Sequence, residues 1–88
     1  MTPYAATQLV NRALRKAHIM HPKTGELKEV QPTMLYVYAN KGKFKRKRAE
    51  DGRWNIDRES FDRWLSGYIG RLAERQEQRR ELEDEPRR

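Results

Sequence analysis

Apolar side chains recur along the first helix-length stretch as Ala6, Leu9, Val10, Ala13, Leu14 and Ala17. Steps of three and four put them on one stripe of a helix of about four turns, with Arg12, Arg15 and Lys16 off the stripe. Thr2 and Pro3 open it, because Thr can cap the first amides and Pro needs no N–H at the first helical position. The period is lost from His18 to Glu29, where Pro22 and Thr24-Gly25 predict a loop with a turn, and where Ile19 and Met20 can tuck under as a lid on the core. Gln31-Pro32 starts a second, shorter helix. Leu35, Tyr38 and Ala39 share its inner face, Val30, Met34 and Val37 flank it, and Gly42 suits its end.

A different pattern follows. KFKRKRAEDGRWNI holds two short extended runs about an Asp51-Gly52 turn signal, with Phe44, Trp54 and Ile56 facing inward. Strands this short need helices to lie against. Asp57 then caps a third helix, whose Phe61, Trp64, Leu65, Tyr68, Ile69 and Leu72 step at strong amphipathic spacing. Beyond Leu72 the stripe nearly vanishes, leaving Leu82 among Glu, Arg and Gln, so the helix is expected to run to about residue 80 and fray. The predicted class is α+β, mostly helical: a winged helix-turn-helix with a short two-stranded wing and a long C-terminal helix. Residues 1–72 form the domain and residues 73–88 a charged helical extension.

Charge changes this picture from a fold to a function class. Across 88 residues, 20 Lys and Arg face 13 Asp and Glu, for a formal net charge of +7. Residues 1–56 carry 12 basic and 4 acidic side chains, and residues 57–88 carry 8 and 9. The excess therefore sits in the first two-thirds of the chain, and a concentrated positive field draws polyanions. Seven cations lie within the thirteen residues 41–53: Lys41, Lys43, Lys45, Arg46, Lys47, Arg48 and Arg53. Such a run is hard to tolerate without a polyanion, although alternation along a strand forbids all of them from facing one way.

Other chemistry is poorly supplied. With no Cys, a disulfide framework and a Cys-ligated zinc are excluded. His18 and His21 lack a third ligand at useful spacing, and Pro22 breaks any helix that would align them, so no metal is expected. Ser60 and Ser66 have no His partner and no phosphate-cradling glycine loop occurs, so no catalytic residues, no cofactor and no enzymatic activity are expected. No run approaches the ~20 apolar residues of a membrane span, and no basic-then-apolar leader opens the chain. The expected setting is the cytoplasm, on the nucleoid of a bacterial host, with the chain entire as written.

A short helix that follows another helix and precedes a basic two-stranded hairpin suits duplex DNA. The helix, residues 32–41, enters the major groove, and the wing, residues 43–56, reaches the neighbouring backbone or minor groove. The recognition set is Gln31, Thr33, Tyr36, Val37, Asn40 and Lys41. Gln and Asn can pair with adenine, Thr or Val can touch a thymine methyl, and Tyr36 can donate to a phosphate. The wing set is Lys43, Lys45, Arg46, Lys47, Arg48 and Arg53, with Arg48 and Arg53 flanking the turn, where an arginine can enter a narrow minor groove. Trp54 and Trp64 are expected in the core.

VQPTMLYVYANKGKF, followed by KRKRAEDGRWNIDRESFDRWL, resembles the excisionase family of small winged-helix proteins, which share their DNA-binding fold with MerR-type regulators. Val30, Leu35, Tyr38, Gly42, Gly52, Arg53, Trp54, Ile56, Phe61, Trp64 and Leu65 fall at the family's positions. The likeness covers roughly residues 30–65 and is strongest to excisionases of actinobacterial phages. Two departures stand out: His18 to Glu29 intervene where the family has a tight turn, and the C-terminal extension is long and charged. The resemblance implies a non-catalytic recombination directionality factor. Such a protein binds repeated duplex sites near a phage attachment site, associates with itself head to tail on DNA, bends the DNA and turns a phage integrase towards excision. The alternatives are a MerR-like transcriptional regulator, disfavoured because no apolar heptad continues past Leu72, and a basic adaptor for RNA or a membrane surface.

Overall fold

The computed structural model describes residues 1–48, 50, 52 and 54–84. Thr2 caps the first helix, α1 (Pro3–Lys16), its side chain accepting from the Ala5 amide at 3.1 Å. Ala6, Val10 and Leu14 are fully buried along its stripe. α1 ends in a Schellman motif: the Ile19 amide donates to Leu14 O and the His18 amide to Arg15 O. His18 takes the left-handed position (φ 52°) that glycine usually fills, and Ile19 folds back into the core at 2% exposure.

The segment predicted as loop is more ordered than its lack of period suggests. Met20 and Leu27 form an isolated antiparallel bridge, and the His21 amide donates to Glu26 O at 2.7 Å. The segment is pinned from both sides by side-chain amides. The Met20 amide donates to Gln76 Oε1 at 2.7 Å while Gln76 Nε2 donates to His18 O at 2.9 Å. The Val30 amide donates to Asn11 Oδ1 at 2.8 Å while Asn11 Nδ2 donates to Val30 O at 3.2 Å. Of the expected lid, Ile19 is buried and Met20 is exposed. His21 Nδ1 accepts from the Lys23 amide, a local turn contact.

Pro32 begins the second helix, α2 (Pro32–Asn40), which buries Leu35 and Ala39. It too ends in a Schellman motif, here with Gly42 at φ 76°, the Gly42 amide donating to Ala39 O and the Lys43 amide to Tyr38 O. The wing is an antiparallel pair, β1 (Arg46–Arg48) and β2 (Trp54–Ile56), in the register Arg46–Ile56, Lys47–Asn55, Arg48–Trp54. Gly52 lies between them in the left-handed region (φ 80°). Asp51, its partner in the predicted turn, lies outside the described residues, as does Arg53 of the wing set. Met1 pairs with the outer edge of β2, the Ile56 amide donating to Met1 O at 2.7 Å.

The third helix, α3 (Arg58–Asp84), runs without a break beyond the expected end near residue 80. It supplies the centre of the core. Phe44 meets Phe61 edge-on at 5.5 Å, Trp64 packs against Phe44 at 5.2 Å, and Trp64 stacks on Tyr68 at 4.9 Å. Burial pushes the Tyr68 phenol up to about 12, with the Tyr38 phenol adding to the shift. The architecture is α+β and mostly helical, a winged helix-turn-helix whose first two helices are joined by a pinned hairpin-like segment instead of a tight turn. Among the described residues no helix is long and apolar enough to cross a membrane.

Candidate nucleic-acid interface

The buried side of α2 is fixed by Leu35 and Ala39, so helical periodicity turns the intervening residues outward. Gln31, Thr33, Tyr36, Val37, Asn40 and Lys41 are all exposed, as predicted for a recognition face. Tyr36 and Val37 are 44% and 49% exposed, large for apolar-bodied side chains on a short helix. Gln31 sits at the N-cap but makes no side-chain cap bond, which leaves its carboxamide free.

The wing stands beside this face. Lys43, Lys45, Arg46, Lys47 and Arg48 are exposed, and every residue of β1 is solvent-facing. Two strands of three residues cannot hold themselves, and the contacts at the wing's base explain its order. The Lys45 amide donates to Ser60 Oγ at 2.8 Å, and the Asp57 amide donates to Lys45 O at 2.9 Å. Asp57 caps α3 by accepting from the Ser60 amide at 3.0 Å. That hydrogen bond holds the Asp57 carboxyl below its ordinary range, partly opposed by desolvation and helped by the Ser60 hydroxyl and the charges of Lys47 and Lys45.

The wing and α2 meet in a four-residue cluster. Tyr36 packs on Trp54 with ring centroids 4.6 Å apart. The Arg46 guanidinium carbon lies 5.9 Å from the Trp54 ring centre, and Arg46 Nη1 donates to Asn40 Oδ1 at 2.6 Å. Trp54, expected fully in the core, is half-buried at its edge and packed against it; Phe44 and Ile56, at 4% and 3% exposure, do the anchoring. The register explains the difference. Trp54 and Ile56 share one strand face, but Ile56 is buried in the core while Trp54 packs against the core's edge and on Tyr36 of α2. The same register puts Arg46 and Arg48 on the face turned towards α2 and Lys47 on the other.

Of the predicted set, the structure brings Tyr36, Asn40 and Arg46 together around Trp54 and puts Arg48 on the same strand face as Arg46; Lys47 lies on the opposite face, Lys41, Lys43 and Lys45 are exposed, and Arg53 lies outside the described residues. Sequence reasoning missed four contributors. Trp54 belongs to the surface, Ser60 ties down the wing, and Asn11 and Gln76 fix the segment leading into α2. The Asp57-x-x-Ser60 spacing was the available signal for the second; nothing local marks the amide clamps. Among the described residues no group of three or more His, Cys, Asp or Glu is placed to hold a metal ion. No family model matches the chain, and comparison with curated proteins and with solved structures also finds no match.

Proposed function

We propose that this chain is a sequence-specific duplex-DNA-binding and DNA-bending protein without enzymatic activity, acting as an excisionase: a recombination directionality factor for a phage integrase. The observation that carries the DNA-binding part is the continuity of one surface. A groove-sized helix presents Gln31, Thr33 and Val37 outward, and Arg46 and Arg48 stand on the adjoining strand face. That pairing separates base-edge contacts from phosphate contacts, as duplex recognition requires. The excisionase step rests on the residue resemblance over residues 30–65. Bending follows from helix and wing drawing one face of the duplex inward, at a cost of a few kcal/mol that contacts between neighbouring copies offset.

The test is footprinting on duplexes with one or several short direct repeats, beside an electrophoretic assay of bending. Occupancy that spreads cooperatively along repeats and retards a centrally bent probe is expected. Independent filling of each repeat, or equal affinity for duplex DNA, RNA and anionic vesicles at physiological salt, overturns the proposal. The unbroken run of α3 to Asp84 favours one competing reading, a MerR-like regulator that dimerises through this helix. Beyond Leu72 its extension offers Leu82 alone as a large apolar residue, 69% exposed, too little for a stable seam. Sedimentation without DNA separates the two, since a tight dimer supports the regulator.

A further inference from the structure

Asn40 and Arg46 were assigned above to different tasks, one to reading bases and the other to gripping the backbone. Their contact points elsewhere. Asn40 Oδ1 accepts from Arg46 Nη1 at 2.6 Å, a short bond from a charged donor. The same guanidinium lies 5.9 Å from the centre of the Trp54 ring, within cation–π range, and Trp54 is backed at 4.6 Å by Tyr36. We infer that Arg46 forms a preorganised seat for a single DNA backbone phosphate at the junction of α2 and the wing, and that Asn40 is its positioning residue and not a reader of bases. The inference rests on the DNA-binding proposal and deepens it.

The chemistry follows from donor counting. A guanidinium carries five N–H donors in a rigid fork. Asn40 takes one, which fixes the plane, and among the described residues the other donors of this exposed side chain meet no hydrogen-bond acceptor. A planar fork with free donors matches the oxygens of a phosphodiester. Free arginine side chains surrender rotamer freedom on binding, and holding Arg46 beforehand removes part of that loss. Asn40, for its part, reads adenine only by accepting from the base amino group with Oδ1 and donating through Nδ2. Here one of the two acceptor positions of Oδ1 is taken by Arg46, which fixes the carboxamide against the wing before any base is met. The helix–wing angle is set by the same cluster, so the phosphate seat stands at a fixed offset from Thr33 and Val37.

The test is a double-mutant cycle with Asn40→Ala, Arg46→Ala and the double variant, read by fluorescence anisotropy. The probes are a duplex selected from a random pool by the wild-type protein and a scrambled duplex of equal length, each across a salt series. Both side chains are exposed, so circular dichroism should show unchanged folding. Asn40→Ala should weaken both duplexes equally, by about two- to tenfold. Arg46→Ala should weaken both and flatten the log–log salt slope by about 0.9. The double variant should match Arg46→Ala, because Asn40 then has nothing to position. Loss confined to the selected duplex, or additive losses, overturns the inference in favour of direct base reading. If the wild type binds neither duplex, the DNA-binding proposal itself fails and the phosphate seat falls with it. The pairing remains readable without DNA, by NMR of the Arg46 guanidinium: rotation about Nε–Cζ should be slowed in the wild type and fast in Asn40→Ala. Equal rotation in both overturns the positioning role.

Discussion

Removing the charges of β1 gives a quantitative test of the wing, and the strand register says how to divide it. Each Lys or Arg that neutralises a phosphate adds about 0.9 to the slope of log affinity against log salt. Over an increase from about 50 to about 200 mM, one contact is worth about 3.5-fold in salt sensitivity, two about 12-fold and three about 40-fold. Arg46 and Arg48 pair with Ile56 and Trp54, on the strand face turned towards α2, while Lys47 pairs with Asn55 on the opposite face. A duplex docked on α2 therefore meets Arg46 and Arg48 together and Lys47 only at the rim. Arg46→Ala/Arg48→Ala should lower the slope by about 1.8, Lys47→Ala by much less than 0.9, and the triple variant by little more than the double. Anisotropy titrations of one duplex at several salt concentrations measure all four proteins. Since phosphate contacts carry no sequence information, the ratio of selected to scrambled affinity should hardly move. A slope unchanged in the double variant, or one that falls as much for Lys47→Ala, would refute the assignment of this face.

Trp64→Ala should leave the domain unfolded or nearly so: Trp64 is 9% exposed and touches Phe44, Phe61, Tyr38 and Tyr68. The loss of about 3–5 kcal/mol is comparable to the whole stability of a small domain, and a melt retaining a cooperative transition near the wild-type Tm would contradict it. The two Schellman caps predict opposite signs. Gly42→Ala should cost about 1 kcal/mol, or roughly 4–8 °C in Tm, through backbone strain alone, because nothing lies within 4 Å of an added Cβ. His18→Gly should stabilise by up to about 1 kcal/mol and raise Tm modestly, as the left-handed strain outweighs glycine's extra freedom in the unfolded chain. Folding stability should also fall in alkali. Tyr68 keeps its proton to about 12 when folded but only to about 10 when unfolded, so its contribution is intact below pH 10 and disappears between pH 10 and 12. Comparing denaturation midpoints of the wild type and Tyr68→Phe across that window checks it, and an identical decline in both would rule Tyr68 out as the source.

The helices were legible because burial imposes a period that any apolar residue can report. Val10 and Leu14 on α1, and Phe61, Trp64 and Tyr68 on α3, reach the core at the predicted spacing. Residues 18–29 were not legible, because their order comes from polar side chains far away in sequence. Asn11 holds Val30, and Gln76 holds His18 and Met20 across 58 and 56 residues. A carboxamide on a helix surface looks the same whether it meets water or a backbone. The end of α1 was legible from the loss of period at His18, but its Schellman geometry was not, because the left-handed position normally announces itself as glycine. The extent of α3 shows a third limit. The apolar stripe ends near Leu72, but helical propensity continues and Gln76 tethers the next turns to the body of the protein, so loss of stripe did not end the helix.

For the candidate interface, the sequence distinguished composition from position less well. It marked every exposed residue of the α2 face and of β1 and gave a role to each side-chain type, yet it could not show which of them are already engaged with one another. The cluster of Tyr36, Asn40, Arg46 and Trp54 divides them by what is already engaged. Tyr36 has one face against Trp54, and Asn40 has its oxygen against Arg46, so each meets a ligand with part of its chemistry committed. Gln31, Thr33 and Val37 make no such side-chain contact among the described residues and remain the free positions on the helix. Within the DNA-binding proposal, base choice is thereby concentrated towards the N-terminal part of α2, and phosphate contact towards its C-terminal end and the wing. That division also gives the short wing its use. Tied to α3 through Ser60 and Asp57 and to α2 through Trp54, it holds its charges at fixed offsets from the reading residues, which a mobile basic segment of the same composition would not.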